Sequence, residues 1–339
     1  MNHTNIDFNE KTILITGGSG FIGSNLAFYF QNNFPASRLV IFDCFRNGQV
    51  LDNGNLKSFG HYENLIGFKG QIICGDIKNK EDIESLSGFN FDYIFHHAAI
   101  SDTRVNDQEI ILRTNVNSFY NVLELAKRTK STLVYASSAA VYGSLNSPQR
   151  IGNEKPDSPY GFSKYMMDQI ANNFSKINPE MIIVGLRFFN VYGPKEFLKE
   201  TTASMVIQLG LQLLSGKSPR LFENSDQIFR DFIYIDDVVE ANILACSPKK
   251  NGVFNVGFGK SRSFQDISDI LQTELGTNLK VDYFSNPYNS YQMNTMADLK
   301  LSKEFLGFDP KISLEEGIKS YIPEIKRIYK IIKDDKSKK

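Results

Sequence analysis

Apolar positions recur in two rhythms along this chain, and their alternation lays out its plan. Short apolar runs at Thr12–Thr16, Leu39–Asp43, Gln71–Gly75, Phe91–His96, Thr132–Ser138 and Met181–Phe188 read as buried strands. Between them the apolar residues take helical spacing. Phe21, Leu26 and Phe30 mark one helix, Lys80–Leu86 a short one and Pro159–Phe174 a later one. The longest, Gln108–Lys127, puts Ile111, Val116, Phe119, Val122, Leu123 and Ala126 on one broad face. Arg46–Gly60, rich in Asn and Gly, reads as a surface loop. Strand and helix in turn predict an α/β chain with a parallel sheet and right-handed crossovers.

After Phe188 the rhythm loosens. Asn190–Lys199 reads as a loop, Thr202–Leu214 as a helix, Ser215–Pro219 as a turn and Leu221–Phe222 as a short extended piece. Asp231–Asp237 looks like a strand meeting a helix start, followed by a strand at Gly252–Gly257, a helix at Phe264–Leu275 and a strand at Lys280–Phe284. Leu314–Ile332 is amphipathic, and the charged Lys333–Lys339 is expected to fray. This change predicts a second, smaller α/β lobe of about 190–230 plus 261–332, the first lobe being 1–189 plus about 231–260.

Composition removes several alternatives. The 339 residues suffice for one large domain or two unequal ones. Lys and Arg total 38, Asp and Glu also 38, so nothing points to nucleic acid or a membrane surface as partner. Cys44, Cys74 and Cys246 lack C-x-x-C spacing and read as thiols in a reducing compartment. His96 and His97 are adjacent while His3 and His61 stand alone, so no metal set is expected. No apolar run spans a bilayer and the N-terminus is too polar for a secretory signal; the cytoplasm is the expected location.

The candidate chemistry begins between the first strand and the first helix, where Gly17, Gly18, Gly20 and Gly23 interrupt the apolar pattern. Glycines at 18 and 20 let a backbone approach a pyrophosphate. Gly23 lets helix pack on strand, and the helix start aims N–H groups at the phosphates. Asp43, ending the next strand, is placed to bind an adenosine ribose. The pattern predicts a dinucleotide site on a Rossmann-type doubly wound sheet. Tyr160 and Lys164 share one helix face, one turn apart. An ammonium there favours phenolate and is expected to bring the tyrosine pKa down. Ser137 and Ser138 end the fifth strand, where open sheets bind ligands, and a serine hydroxyl there can hold a reacting oxygen beside Tyr160.

TGGSGFIGSN, FDYIFHHAA, YASSAAVYG, PYGFSK and RFFNVYGP, in this order, resemble the extended short-chain dehydrogenases/reductases, which modify nucleotide sugars. The resemblance implies cofactor contacts at Gly17, Gly20, Phe21, Ile22, Gly23 and Val191, with Asp76 and Ile77 beside the adenine. It also implies that His97, Ala98, Ala99, Ile100 and Ser101 pass the cofactor phosphates and ribose. Asn115 is implied as a cofactor contact, Lys164 as a nicotinamide-ribose ligand, Tyr160 as acid/base and Ser138 as its partner. LFENSDQIFRDFIYIDDVVEAN, FNVGFGKSRSFQDI, ETTASM and SYQMNTMADL are similar to the ADP-L-glycero-D-manno-heptose 6-epimerases, which invert C6 of an ADP-heptose destined for lipopolysaccharide. By that resemblance Lys199 is a second catalytic base. Asn190, Thr201, Gln208, Phe222, Glu223, Asn224, Ser225, Arg230 and Tyr291 line the substrate. The chain departs from the pattern with Lys195 for Arg, Thr201 for Ser and Gln208 for His.

An unactivated C–H carbon cannot simply lose a proton, so the implied route is transient oxidation to a 6-ketone. The ketone turns and hydride returns to its other face, Tyr160 serving one epimer and Lys199 the other. Arg230 has the planar fork to clamp a diphosphate, a salt bridge to Asp226 or Asp231 being the alternative. Lys199 can also be read as a solvated loop lysine, and Tyr291 as a core aromatic. Asp43 alone favours NAD. Arg46 and Lys80 offer cations for a 2′-phosphate, and the resemblance implies NADP, which is the expected cofactor with NAD left open. A 4,6-dehydratase needs an acid and a base where this chain has Ala139 and Ala140. A UDP-hexose 4-epimerase stays open, and a non-catalytic dinucleotide sensor is opposed by the Tyr160/Lys164 pair. The resemblance implies a homo-oligomer pairing the Gln108–Lys127 and Pro159–Phe174 helices, although a face buried within one chain would look the same.

Overall fold

Twelve strands appear in the computed structural model, which describes residues 6–286 and 292–337. In chain order they are β1 Thr12–Thr16, β2 Arg38–Asp43, β3 Gln71–Cys74, β4 Tyr93–His96, β5 Thr132–Ser138 and β6 Ile183–Phe188. There follow β7 Asn190–Tyr192, β8 Arg220–Phe222, β9 Phe229–Tyr234, β10 Gly252–Val256, β11 Ser261–Ser263 and β12 Asp282–Phe284. Seven form one sheet in the order β10-β6-β5-β4-β1-β2-β3, every neighbouring pair parallel. The order reverses between β1 and β4, and the crevice beyond the strand ends at such a point is where these sheets take ligands.

Successive strand residues serve opposite faces of the sheet. Ile13 and Ile15 pack with Leu26, Phe30 and Val238 on one side, while Leu14, Val40 and Phe42 pack with Phe119, Leu123 and Met167 on the other. Two covered faces explain why these strands read as unbroken apolar runs rather than alternating ones.

Elsewhere the structure corrects the sequence pattern. The helix beginning at Gln108 is three stretches, Gln108–Ile111, a π-helical Leu112–Asn117 and Ser118–Thr129. Residues 190–192 form a strand rather than loop: β7 pairs with β9 in parallel, and β11 closes that small sheet antiparallel. A three-residue strand has no room for a period to show. β8 and β12 pair separately, in parallel. The last helix is Leu314–Ser337, so the tail expected to fray is helical through residue 337. Among the described residues no helix is long and apolar enough to cross a membrane. All three cysteines are free thiols.

Candidate active site

The carboxyl ends of β1, β2, β4 and β5 open on one cleft of about 770 Å³. Its floor is backbone. Gly17 has φ +70°, and a Cβ there would sit 2.6 Å from the Ala98 nitrogen; one on Gly23 would sit 2.3 Å from the Gly17 oxygen. Side chains are therefore excluded where the 17–23 turn meets the 97–98 segment. The helix Phe21–Asn33 starts at Gly20 with no side-chain cap, and Gly20, Phe21, Ile22 and Gly23 line the cleft. Its first-turn N–H groups and positive dipole end form a seat for an anion such as a pyrophosphate. His97, Ala98, Ala99, Ile100 and Ser101 line the cleft alongside, as do Asp76 and Ile77. The Asp43 carboxylate accepts the Ser19 N–H at 2.9 Å and the Phe45 N–H at 3.0 Å, and burial raises its pKa. This cradle fits a dinucleotide.

Beside the cradle stand the groups able to move a proton. The helix Pro159–Ile177 is capped by Ser158, whose hydroxyl accepts the Gly161 N–H, and opens with Pro159. Its first turns present Tyr160 and Lys164 to the cleft next to Ser138 at the end of β5. The expected depression of the Tyr160 pKa is not met. Burial pushes the phenol above its ordinary value, with the Ser138 hydroxyl pulling the other way. The Lys164 ammonium turns instead to the Ala136 carbonyl at 2.8 Å, 5.9 Å from the Tyr160 ring centroid. Burial lowers Lys164 to about 8, opposed by the Asp168 carboxylate. His97 is held neutral, its pKa pushed to about 3 by burial and then by the Lys164 charge.

Asp168 lies one turn beyond Lys164 in a buried network. It accepts the Tyr135 and Ser137 hydroxyls, each at 3.0 Å, and the Arg187 Nε at 2.9 Å. Arg187 reaches on to Glu154 and Tyr142. Tyr135 and Ser137 flank Ala136, so the carboxylate that faces Lys164 also anchors the strand whose carbonyl receives it.

The opposite wall comes from later in the chain. Asn190 and Val191 of β7, Lys199 and Thr201 of the short helix Phe197–Thr202, and Arg230 of β9 all line the cleft. Lys199 is half-buried, with its ammonium enclosed by protein 5.7 Å from the Phe21 ring centroid. Burial lowers its pKa, with Glu196 and then Asp102 opposing. Arg230 donates to the Phe229 carbonyl at 2.9 Å and lies 5.7 Å from the Phe264 ring centroid. The Asp231 carboxylate takes the N–H groups of Phe258, Gly259 and Ala297.

Other expected residues do not reach the cleft. Arg46 is bound by Glu200 and the Leu198 carbonyl, and Lys80 faces solvent beside Glu84 at 3.6 Å. Asn115, on the π turn, holds both backbone groups of Ile100 and the Ser163 hydroxyl, so it shapes the cleft wall from behind. Gln208 donates to the Ala203 carbonyl. Phe222 instead ends β8 in the small β8–β12 pair, and Glu223, Asn224 and Ser225 follow it. Phe222 packs edge-on against Phe284, Glu223 accepts the Ser285 hydroxyl, Asn224 turns the chain at φ 59°, and Ser225 is buried. Tyr291 lies outside the described residues. Conversely, Lys57, which donates to Gln49 at 3.2 Å, and Lys78, paired with Asp76, line the cleft, unforeseen because one sits in a polar loop and the other in a turn.

Comparison with known proteins gives this geometry relatives. Residues 13–257 match the NAD dependent epimerase/dehydratase family. The chain is 35% identical over 319 residues to the ADP-L-glycero-D-manno-heptose-6-epimerase of Brachyspira hyodysenteriae, covering 91% of this chain and 96% of that protein. The crystal structure of the Helicobacter pylori ADP-L-glycero-D-manno-heptose-6-epimerase is similar with a TM-score of 0.88 and 44% identity, over 96% of this chain and 99% of that one. UDP-glucose 4-epimerase of Thermotoga maritima, solved with UDP-glucose, reaches 0.82 at 27% identity, over 94% and 99% of the two chains. The alternating strands and helices, the glycine cradle and these matches lead to one conclusion: the chain belongs to the NAD dependent epimerase/dehydratase family.

Proposed function

We propose that the protein is an ADP-glycero-manno-heptose 6-epimerase of lipopolysaccharide heptose synthesis, inverting C6 through a transient 6-ketone. One observation carries this reading: two proton-handling side chains, Tyr160 and Lys199, enter the same cleft from separate elements. In this reading the ketone turns between oxidation and reduction, and each C6 epimer meets its own proton partner. The likeness of the whole chain to heptose epimerases favours C6. Gly17, residues 20–23 and the 97–101 segment would hold a nicotinamide dinucleotide, which would supply the acceptance and return of hydride. With its pKa raised, Tyr160 stays protonated and is suited to donate to the ketone oxygen held by Ser138. Lys199, its pKa lowered, exchanges a proton more readily than an exposed lysine does. Arg230 anchors the diphosphate away from the reacting carbon, leaving the sugar end free to turn.

The cofactor in this reading is NADP. Arg46 and Lys80 stay outside the cleft, whereas Lys57, which donates to Gln49 at 3.2 Å, and Lys78, paired with Asp76, line it and support a contact to a 2′-phosphate. Assembly into a homo-oligomer is supported by Tyr120 and Phe162, large aromatics 50% and 43% exposed on the helices expected to pair. The test is incubation of the holoenzyme with ADP-glycero-manno-heptose or UDP-glucose, followed by NMR. Inversion at C6 of the first and none at C4 of the second is expected. Tyr160→Phe should slow it by about 10²–10⁴. Inversion of UDP-glucose alone would replace this reading by the 4-epimerase one.

A further inference from the structure

We infer that Arg46 positions the second proton-transfer group: with Asn55 it clasps the Phe197–Thr202 segment and sets where Lys199 stands. The inference rests on the role proposed above for Lys199. The Arg46 guanidinium bridges Glu200 at 2.9 Å and the Leu198 carbonyl, the two residues on either side of Lys199. Glu200 itself sits at φ 54°, ψ −122°, a conformation that a non-glycine residue holds only when its surroundings enforce it. A second tie lies one residue on, where the Thr201 hydroxyl donates to Asn55 at 3.0 Å. Asn55 in turn donates to Asp102, a carboxylate that faces Lys199.

The clasp is anchored to the cofactor side of the cleft. Arg46 lies three residues past Asp43, which grips the glycine turn through the Ser19 N–H, and its own N–H is bonded to the Gly60 carbonyl at 2.9 Å. One loop therefore links the dinucleotide cradle to the lysine on the opposite wall. A planar fork is needed to join a carboxylate to a carbonyl in this way, and an ammonium is a poor substitute.

The experiment compares Arg46→Ala, Arg46→Lys and Glu200→Gln in the NADP holoenzyme, reading epimerisation kinetics together with hydrogen–deuterium exchange of residues 196–202. All three variants should lower kcat about tenfold and speed exchange in that segment, with the sugar-nucleotide KM and the NADP affinity within twofold of the parent. Combining Arg46→Ala with Glu200→Gln should cost no more than the worse single change. The clasp is refuted if exchange and kcat stay at parental values in Glu200→Gln. It is equally refuted if Arg46→Ala weakens NADP alone and Arg46→Lys restores it, the signature of a phosphate ligand. Faster exchange in a protein whose Lys199→Met variant still epimerises at the parental rate would sustain the clasp and overturn the role given to Lys199.

Discussion

Lys164 and Lys199 enter one cleft on supports of opposite character. Lys164 rides a long helix over a dry network in which the paired Arg187 and Asp168 side chains are 2% and 1% exposed. Lys199 rides a short turn held by Arg46 and Glu200, whose side chains are 21% and 53% exposed. The first arrangement fixes a charge beside the reacting centre through redundant buried bonds. The second leaves its lysine on a segment whose bonds compete with water, which suits the role proposed for Lys199 as a group needed for only one epimer. The widest test of this contrast is stability. Asp168→Ala leaves the buried Arg187 with Glu154 as its remaining carboxylate and removes the partner of two buried hydroxyls, and should cost about 3–5 kcal/mol. Glu200→Gln should cost less than about 1 kcal/mol. Denaturant midpoints measure both, and comparable losses would erase the distinction.

The buried support also has a pH signature. Because burial holds Lys164 at about 8 in the fold, below an ordinary lysine, the folded chain binds fewer protons than the unfolded chain between pH 8 and about 10.4. Stability rises with pH wherever the unfolded state binds more protons, so this group makes the protein more stable across that window, by up to about 3 kcal/mol. Denaturant unfolding measured from pH 8 to above pH 10 should show the rise in the parent, and Lys164→Met should flatten it.

The same contrast explains what could be read from sequence. β5, Thr132–Ser138, and the helix Phe264–Leu275 fall where periodicity puts them, because apolar pattern and capping residues are local. Gly17, Gly20, Gly23, Tyr160 and Lys164 reach the cleft because strand ends and helix starts fix them. The opposite wall is assembled by contacts distant in sequence, such as Arg46 with Glu200 and Asn55 with Thr201, and no period encodes those. The sequence pattern therefore assigns Arg46 to a phosphate and carries no sign of Lys57. Lys57→Ala should weaken NADP about tenfold, ~1.4 kcal/mol, while leaving NAD unchanged in a direct titration. Equal loss for both would move the phosphate contact to Lys78.

Gln208 sharpens the comparison at its weakest point. Its amide donates to the Ala203 carbonyl at 2.6 Å, just where the chain leaves the Lys199 turn and enters the helix Met205–Leu214. Ala203 lines the cleft and Gln208 does not, so any influence on substrate passes through one backbone carbonyl. That region has a second fastening: Glu196 accepts the Ser204 N–H at 2.7 Å and its hydroxyl at 2.8 Å. Gln208→Ala should therefore cost about 0.5–1.5 kcal/mol of stability, the net worth of one hydrogen bond, and leave the sugar-nucleotide KM within twofold. A thermal midpoint and a Michaelis curve separate the outcomes. If KM rises tenfold with stability unchanged, Gln208 touches the substrate after all, and this wall rearranges when the sugar binds.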